Sequence, residues 1–465
     1  MRHAQDIEEL RGMIGGGSVQ GQSELAGRDP GWDARNLRAF AAVRPDSPDA
    51  VANLLRWCCP RGIPVVPHGG RTGLVGGAVT NPETLICDLG ALDRIEEIDP
   101  VSGIAVVQAG VTLGALQEAA SAFGLDPAID LAARGSATVG GLISSNAGGI
   151  MAFRSGVMRH RVLGLEAVLP DGSIFSDLTR VMKTSAGYDL KHLFIGAEGT
   201  LGIVTRAVIK LEPLVRARAT ALVGVDNAAA AQRVVTYFLS RGGTNLRAAE
   251  IMWRKYAQTT GAALGFEHGQ LPLDADCLLA LELGGDSFEA ASAALEDGLA
   301  AIYEDAGIIK DGVVAGSVQQ ADRIWRVRED TEILYRLHPQ APSFDVSVPG
   351  RAIDSYVDRL GPALRSIDPP LDPYVFGHLA DGNLHIVLNI EGPLPAAVQQ
   401  RVEEILYGPL DAIGGCFSAE HGIGLKKRAA FERYADPVKQ KLSRAIKGLL
   451  DPKGLLNPGK VVDPL

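Results

Sequence analysis

Short apolar runs alternate with amphipathic stretches along the first half of the chain. Continuous apolar runs indicate strands, and apolar positions that recur every three or four residues indicate helices. The predicted strands are Pro64–Pro67, Leu85–Asp88, Ile104–Ala109, Leu163–Leu169 and Ile203–Ile209. The predicted helices are Asp6–Met13, Pro48–Cys58 and Leu113–Phe123. This alternation predicts a mixed sheet-and-helix domain.

The pattern changes after Glu212-Pro213. Ala-rich helical stretches at Asn227–Ser240 and Ser287–Asp305 alternate with an apolar strand at Cys277–Leu283, and a last helix is predicted at Lys439–Leu450. This indicates a second, α+β domain. We therefore predict an N-terminal helix with a connector (1–35), a first domain (36–214), a second domain (215–425) and a C-terminal helical segment (426–465).

Composition narrows the class of protein. The 465 residues include 46% hydrophobic and 22% charged residues, which excludes a disordered chain. The net charge is −10 and no basic run carries interleaved aromatics, so no nucleic-acid partner is expected. Five cysteines without a C-x-x-C pair favour a reducing compartment. The acidic N-terminus lacks the apolar core of a signal peptide, so we predict a cytoplasmic protein.

No transmembrane segment is expected either. The longest uncharged stretch, 135–153, contains five glycines together with Ser, Thr and Asn, which makes it too polar to cross a bilayer. Docking on a membrane surface stays open. No G-x-G-x-x-G follows a predicted strand, so a Rossmann-type NAD site has no support.

Glycine is the unusual residue, with 55 copies in the chain. The window Pro67–Gly77 contains five of them, and a second window, 135–149, contains five more. Paired glycines let backbone N–H groups converge on an anion without interference from Cβ atoms. The alternative is two ordinary surface loops. Two such windows beside short strands favour the diphosphate of a nucleotide cofactor.

A hairpin is predicted around Asp381-Gly382, because this dipeptide separates two apolar runs. With these two residues as the loop, His378 lies opposite His385, with Cβ atoms about 5 Å apart. That spacing suits two imidazoles on one divalent metal. The alternative is a pair of partly buried histidines that stabilise a turn.

Glu420-His421 offers the groups that such a metal site lacks. Two histidines and one carboxylate form a three-ligand set with an open coordination position, so Glu420 is the candidate third ligand. His421 is a candidate general base near neutral pH. A purely structural Glu-His pair remains the alternative.

From about Arg44 to Leu211 the two windows, followed by Gly196–Ile203, resemble the flavoproteins of the p-cresol methylhydroxylase and vanillyl-alcohol oxidase fold. The resemblance implies an α+β protein with a two-subdomain FAD-binding domain (36–214), a substrate or cap domain (215–425) and a C-terminal segment that returns to the FAD domain. Arg71 stands where some members carry a His joined to FAD, so non-covalent FAD is expected. His68 precedes the glycines and is better explained as a loop-packing residue. The residues expected to line FAD are Pro67, His68, Gly69, Gly70, Arg71, Thr72, Gly73, Leu74, Gly135, Ser136, Thr138, Gly140, Gly141, Asn146, Ala147, Gly148, Gly149, Glu198, Gly199, Gly202, Ile203 and Asn457.

The hairpin, the segment 420–424 and the ending Leu450–Lys460 resemble the FAD-dependent D-2-hydroxyacid dehydrogenases over nearly the whole chain. This family includes D-lactate dehydrogenase, the flavin subunit of glycolate oxidase and D-2-hydroxyglutarate dehydrogenase. The resemblance implies a divalent metal, with zinc expected, on His378, His385 and Glu420. It also implies that His421 takes the hydroxyl proton while the C2 hydride passes to FAD, which yields a 2-oxoacid.

The same resemblance assigns a substrate pocket. Arg328 matches the family Arg that holds the substrate carboxylate, although a helix-surface Arg paired with Glu332 is the alternative. Glu332, Ser343 and Val387 stand where the 2-hydroxyglutarate branch has a Thr, a Lys and an Asn for the distal carboxylate. We list Arg328, Glu332, Ser343, Val387 and His421 as substrate-pocket positions, and we predict a lactate-like substrate or one with an apolar side chain.

Three other functions stay open at this stage. The first is a D-2-hydroxyglutarate or D-malate dehydrogenase with different distal contacts. The second is a flavin oxidase that returns electrons to oxygen, and the third is a flavin subunit without turnover in a glycolate oxidase-type complex. The expected electron acceptor is a cytochrome, a quinone or an electron-transfer flavoprotein. The oligomeric state is open, a homodimer included.

Overall fold

The computed structural model describes residues 2–14, 18–241, 245–267 and 269–464. The chain forms two compact units. Unit 1 comprises Met1–Gly149, Ser155–Leu214 and Glu420–Leu465, and unit 2 comprises Ile150–Arg154 and Val215–Ala419. Residues 420–425, which the sequence boundaries assigned to the second domain, group with unit 1. Residues 15–17 of the predicted connector lie outside the described residues.

A four-stranded sheet opens unit 1, in the order β1-β2-β4-β3. Its strands are β1 (Val19–Gly21), β2 (Ala41–Val43), β3 (Val65–His68) and β4 (Leu85–Asp88), and its helices are α1 (Arg2–Ile14), α2 (Gln22–Leu25) and α3 (Pro48–Arg61). The predicted helix at Pro48 is confirmed. It begins where the Ser47 hydroxyl accepts the Ala50 N–H and ends at Gly62, whose φ is 65°.

The second sheet of unit 1 is antiparallel and has five strands in the order β5-β6-β10-β8-β9. The strands of this region are β5 (Ile95–Asp99), β6 (Ile104–Gln108), β7 (Leu125–Asp126), β8 (Val162–Val168), β9 (Ile174–Asp177), β10 (Ile203–Lys210) and β11 (Glu212–Pro213); β7 and β11 pair separately. Its helices are α4 (Leu113–Ser121), α5 (Val139–Ser145), α6 (Ala152–Ser155) and α7 (Met158–Arg161). Buried side chains of α4 and α5 pack on β6, β8 and β10. This core holds the second glycine window against the sheet.

Unit 2 is built on a seven-stranded antiparallel sheet in the order β15-β12-β14-β13-β17-β18-β16. The strands are β12 (Ala217–Val225), β13 (Asn245–Trp253), β14 (Cys277–Gly285), β15 (Ile309–Val314), β16 (Ser343–Ser347), β17 (Pro373–His378) and β18 (Asn383–Leu388). The helices are α8 (Ala228–Ser240), α9 (Arg254–Ala263), α10 (Phe288–Ala306), α11 (Val318–Glu329), α12 (Glu332–Leu337), α13 (Ile353–Asp358), α14 (Leu360–Arg365), α15 (Ala396–Tyr407) and α16 (Leu410–Ile413). The α+β class predicted from the sequence is confirmed.

The predicted hairpin exists as β17 and β18, but its predicted register is wrong. His378 pairs with Asn383, and His385 pairs with Phe376. The loop therefore has four residues rather than two. Its ends are drawn to other strands, because the Leu379 N–H donates to Ala249 O and the Val348 N–H donates to Gly382 O. The shift is two positions, so both histidines keep the same face of the sheet.

The C-terminal segment of unit 1 carries α17 (Arg428–Tyr434) and α18 (Pro437–Leu450). Beyond α18 the chain runs beside β3, where Leu456 forms a parallel bridge with Val65 and the Asn457 N–H donates to Val65 O. The segment thus joins the first sheet of its own unit. None of the helices in the described ranges combines the length and the apolar character that crossing a bilayer requires.

Candidate active site

The glycine windows of unit 1 pack against one another. A Cβ on Gly69 would collide with the Thr138 hydroxyl, one on Gly70 with the Ser136 carbonyl, and one on Gly199 with the Pro67 ring. These three positions therefore accept only glycine at this separation. The predicted flavin segments are brought together, and glycine is what allows the close approach.

Arg71 supplies a test of whether the first window fits an anionic cofactor. It has a φ of 54° and is partly buried, and its Nε has no hydrogen-bond partner. Burial lowers the pKa of its guanidinium, and the nearby charge of Arg28 lowers it further. A cation held in this way favours an anion beside it.

Several predicted flavin residues also hold the loops. Thr138 caps α5 by accepting the Gly141 N–H, and Asn146 accepts the Arg159 N–H at 2.9 Å. The Asn457 amide donates to Gly77 O at 2.9 Å and to Glu198 O at 2.7 Å. The other predicted flavin residues lie in the same segments. Pro67 belongs to β3 and Ile203 begins β10, while Gly202 packs against the Phe194 ring and Gly140 packs against Ala109. The remaining ones have irregular backbone: Thr72, Leu74, Gly135, Ala147, Gly148 and Gly149. Their contact with FAD remains a prediction.

His68 lies inside the fold of unit 1. Its Nε2 is 2.8 Å from Ala78 O, and burial lowers the pKa of the ring to about 4. A neutral, packed imidazole agrees with the loop-packing interpretation of this residue.

The depressed pKa of His68 predicts a loss of stability in acid. Between about pH 7 and pH 5 the unfolded chain protonates this ring and the folded chain does not, which costs about 2 kcal/mol of folding free energy. His68→Gln, whose amide can donate to Ala78 O, should remove this part of the decline. The measurement is the thermal midpoint at both pH values. His160→Gln, at an exposed position, is the control and should keep the wild-type slope.

Glu198 has a role that the sequence did not reveal. Its carboxylate accepts the N–H groups of Ile423 at 2.7 Å and Gly424 at 2.8 Å. Burial raises its pKa to about 7, although these two hydrogen bonds and the charges of Lys427 and Lys460 oppose the rise. Glu198 therefore fixes the backbone just after His421.

In unit 2 the two hairpin histidines form a pair. Their rings are 5.4 Å apart between centroids, and each offers a ring nitrogen within 4.8 Å of the other's. His378 Nδ1 lies 2.7 Å from a carboxylate oxygen of Glu250. A carboxylate on Nδ1 holds the proton there and leaves Nε2 as the metal-type donor.

Glu250 joins one hairpin histidine to Arg328, and the sequence pattern did not indicate this role. It is fully buried on β13 and its second oxygen lies 2.8 Å from Arg328 Nη2. Burial raises the pKa of Glu250, but the charges of His378 and Arg328 outweigh this effect, so the net pKa is below its usual range. The available signal was one acid in the apolar strand Asn245–Trp253.

Arg328 is buried rather than exposed on a helix surface. Its guanidinium lies over Phe376, 4.9 Å from the ring centroid, and its Nε has no hydrogen-bond partner. The alternative pairing with Glu332 is wrong, because Glu332 is exposed at the start of α12. Arg328 thus keeps a buried N–H donor without a protein partner.

The remaining positions that are predicted to line the substrate pocket, Ser343 and Val387, lie on β16 and β18. Ser343 and Val387 are cross-strand partners, and Asp345 is the partner of His385 on the same face. Val387 is buried in an apolar cluster that includes Phe376 and Tyr374. This face is therefore polar near the histidines and apolar toward Val387.

Glu420 and His421 directly follow the last residue of unit 2. The Ala419 N–H donates to the buried Asp345 carboxylate at 2.9 Å. Within unit 1, Glu420 Oε1 accepts the Gly149 N–H at 3.0 Å. Glu420 therefore directly follows Ala419, whose backbone N–H is bound to the cross-strand partner of His385.

Comparisons with known proteins agree with this architecture. Residues 39–177 match the FAD binding domain, and residues 214–461 match the C-terminal domain of FAD linked oxidases. A structure of p-cresol methylhydroxylase with substrate bound superposes with a TM-score of 0.75 at 18% identity, covering 99% of this chain and 97% of that one. An alkyldihydroxyacetonephosphate synthase superposes with a TM-score of 0.67 at 16% identity, covering 90% and 77%. The predicted fold is confirmed.

Two relatives align with this chain over most of its length and over most of their own. The probable mitochondrial D-2-hydroxyglutarate dehydrogenase of Oryza sativa subsp. japonica is 32% identical over 99% of this chain and 82% of its own. The D-2-hydroxyglutarate dehydrogenase of Xanthomonas citri pv. viticola is 35% identical over 95% and 92%. Some relatives are named as mitochondrial, so the cytoplasmic location remains a prediction. The chain belongs to the FAD-linked oxidase family and is an FAD-dependent oxidoreductase.

Proposed function

We propose that the protein oxidises a D-2-hydroxyacid to the 2-oxoacid with non-covalent FAD. The observation that carries this proposal is the buried network of His378, Glu250 and Arg328. The Glu250 carboxylate contacts both the His378 imidazole, which we propose binds a metal, and the Arg328 guanidinium, which we propose binds the substrate carboxylate. An α-hydroxyacid presents a hydroxyl and a carboxylate on neighbouring carbons, which suits this pairing.

His378, His385 and Glu420 are the residues that would hold a divalent metal, with zinc expected. The two imidazoles lie close enough for one ion, and Glu250 on His378 Nδ1 is the outer support that metal-binding histidines use. A metal there would lower the pKa of the substrate hydroxyl. Glu420 is supported by its place one residue after the anchored Ala419.

Arg328 binds the C1 carboxylate. Glu250 occupies Nη2, and the guanidinium keeps further N–H donors, including the buried Nε without a partner. A substrate carboxylate at these donors would accept the hydrogen bond that the buried Nε lacks. This removes the free-energy cost of an unsatisfied buried donor and adds a charge-assisted hydrogen bond.

His421 removes the hydroxyl proton. FAD, when bound, would supply the acceptor for the C2 hydride. Glu198 supports this role, because it fixes the backbone at Ile423 and Gly424 and so limits the positions open to the His421 ring. The glycine windows would hold the diphosphate of FAD, with Arg71 as the cation beside it. The expected acceptor of the electrons is a cytochrome, a quinone or an electron-transfer flavoprotein.

The side chain of the substrate is proposed to be small or apolar. Ser343 and Val387 offer no cation to a distal carboxylate, and Glu332 would repel one. D-2-hydroxyglutarate is the second candidate, favoured by the names of the relatives at 32–35% identity.

Anaerobic flavin reduction tests the proposed reaction. The purified yellow protein is mixed with D- and L-2-hydroxyacids, before and after treatment with a chelator. We expect bleaching by D isomers only, loss of the rate without metal and its return with zinc. Bleaching by no hydroxyacid contradicts the proposal, and an unchanged rate without metal removes the metal from it. Stoichiometric hydrogen peroxide in air would assign an oxidase instead.

Substrate preference is a separate prediction. D-Lactate and longer apolar D-2-hydroxyacids should reduce the flavin faster than D-2-hydroxyglutarate. Ser343→Lys with Glu332→Thr should lower the KM for D-2-hydroxyglutarate about tenfold, since a hydrogen bond to a charged group contributes about 1.5–3 kcal/mol. Ser366→Lys with Glu304→Thr makes the same charge change elsewhere on unit 2 and should alter nothing. Faster wild-type turnover of D-2-hydroxyglutarate would contradict the prediction.

A further inference from the structure

Helix α18 of unit 1 exposes an apolar stripe that no part of the proposed chemistry uses. The exposed fractions of Val438, Leu442 and Leu449 are 61%, 57% and 80%. Ala445 is exposed between them. At about 100° per residue these four positions fall within about 60° of the helix circumference. Apolar residues on a surface usually stand singly, whereas these form one continuous line.

Basic residues accompany the stripe. Lys439 and Lys441 are exposed and lie on opposite sides of it, and exposed Lys453 follows the end of the helix. Pro437–Leu450 contains four Lys or Arg and no Asp or Glu. The helix is therefore positive in a chain whose net charge is −10.

The neighbouring acids do not neutralise the two flanking lysines. Asp436 accepts the Lys439 backbone N–H as the cap of α18, and Asp451 is buried against Lys447. Glu432 lies 3.9 Å from Arg444, on another side of the helix. Lys439 and Lys441 thus keep their positive charge in contact with solvent.

An apolar stripe with lysines on both sides fits one kind of partner better than the others. A second copy of the helix would offer Lys439 and Lys441 no opposite charge, because Pro437–Leu450 contains no Asp or Glu. The stripe has no Trp, Tyr or Arg to anchor a protein interface, and a single helix face forms no pocket. An aliphatic line between lysines suits the boundary between the acyl chains and headgroups of an anionic bilayer.

We propose that α18 docks unit 1 on an anionic lipid surface. Val438, Leu442 and Leu449 enter the interface, and Lys439 and Lys441 contact the headgroup phosphates. This inference is independent of the substrate, since it rests on residues outside the proposed site. Docking would place the enzyme at a membrane that can contain its electron acceptor.

Vesicle co-sedimentation of the FAD-loaded protein tests the proposal. We expect binding to vesicles of phosphatidylcholine with phosphatidylglycerol, little binding to phosphatidylcholine alone, and a decrease with added salt. Leu442→Glu with Leu449→Glu should lower the partition coefficient more than about tenfold. Lys439→Ser with Lys441→Ser should lower it about thirtyfold, since each lysine near the membrane surface contributes about 1 kcal/mol.

Val101→Glu with Val181→Glu is the matched control. Both residues are exposed apolar positions elsewhere on unit 1, and the charge change is the same. The control should bind vesicles as the wild type does. Absence of binding to anionic vesicles, or an equal loss in the control, would overturn the proposal. So would a wild-type dimer, seen by light scattering, that Leu442→Glu with Leu449→Glu splits into monomers.

Discussion

Replacing His421 by Ala is expected to lower the rate of flavin reduction about a thousandfold while FAD stays bound, because a positioned general base contributes about 10²–10⁴ to a rate. Glu198 should still hold the backbone at Ile423 and Gly424, so the turn keeps its shape. The measurement is single-turnover flavin reduction under anaerobic conditions, with the flavin content read from the absorbance spectrum.

Chemical rescue separates a base from a structural residue. Added imidazole should restore part of the His421→Ala rate, since a free base can occupy the space that the side chain leaves. His338→Ala is the control, because His338 contacts the Tyr374 hydroxyl and has no role in the proposed reaction. An unchanged rate in His421→Ala, or loss of FAD in parallel with the rate, would contradict the assignment.

The strands were predictable because their signal is local. The runs at Leu85, Ile104 and Cys277 are continuous and apolar, and the structure has strands beginning at each of them. The helix at Pro48 carries its start signal in Ser47-Pro48, and only its last turn was missed. Such elements need no knowledge of the rest of the fold.

The hairpin register needed the other strands. Asp381-Gly382 alone favours a two-residue loop. Hydrogen bonds from Leu379 to Ala249 and from Val348 to Gly382 instead pull the loop ends into the sheet. Neither partner is near the hairpin in sequence, so local turn chemistry could not reveal the competition.

Glu250 was missed for a related reason. β13 lies beside β17 in the sheet, which sets Glu250 opposite His378. Helix α11 brings Arg328 to the same carboxylate. The hairpin pattern indicated the histidine, and the family resemblance indicated the arginine. Only the sheet order shows that one buried acid joins them.

The largest effect on stability is expected from Lys447→Met. Lys447 is buried on α18, and its ammonium contacts the Asp451 carboxylate at 2.6 Å, Thr200 O at 2.7 Å and Leu456 O at 2.9 Å. Removing one partner of a buried ion pair costs about 3–5 kcal/mol, because the other charge stays buried. The thermal midpoint should fall by about 10 °C.

The same lysine connects stability to the cofactor site. Thr200 lies two residues after Glu198, and Leu456 directly precedes Asn457. Lys447→Met removes the hydrogen bonds that hold Thr200 and Leu456, so we expect it to weaken FAD retention as well as the fold. Lys441→Met removes an exposed lysine from the same helix and should change neither property. Lys447→Met with Asp451→Asn should lose less stability than the two single changes added together, since no buried charge is then left alone. Equal melting of Lys447→Met and Lys441→Met would show that the buried pair does not stabilise unit 1.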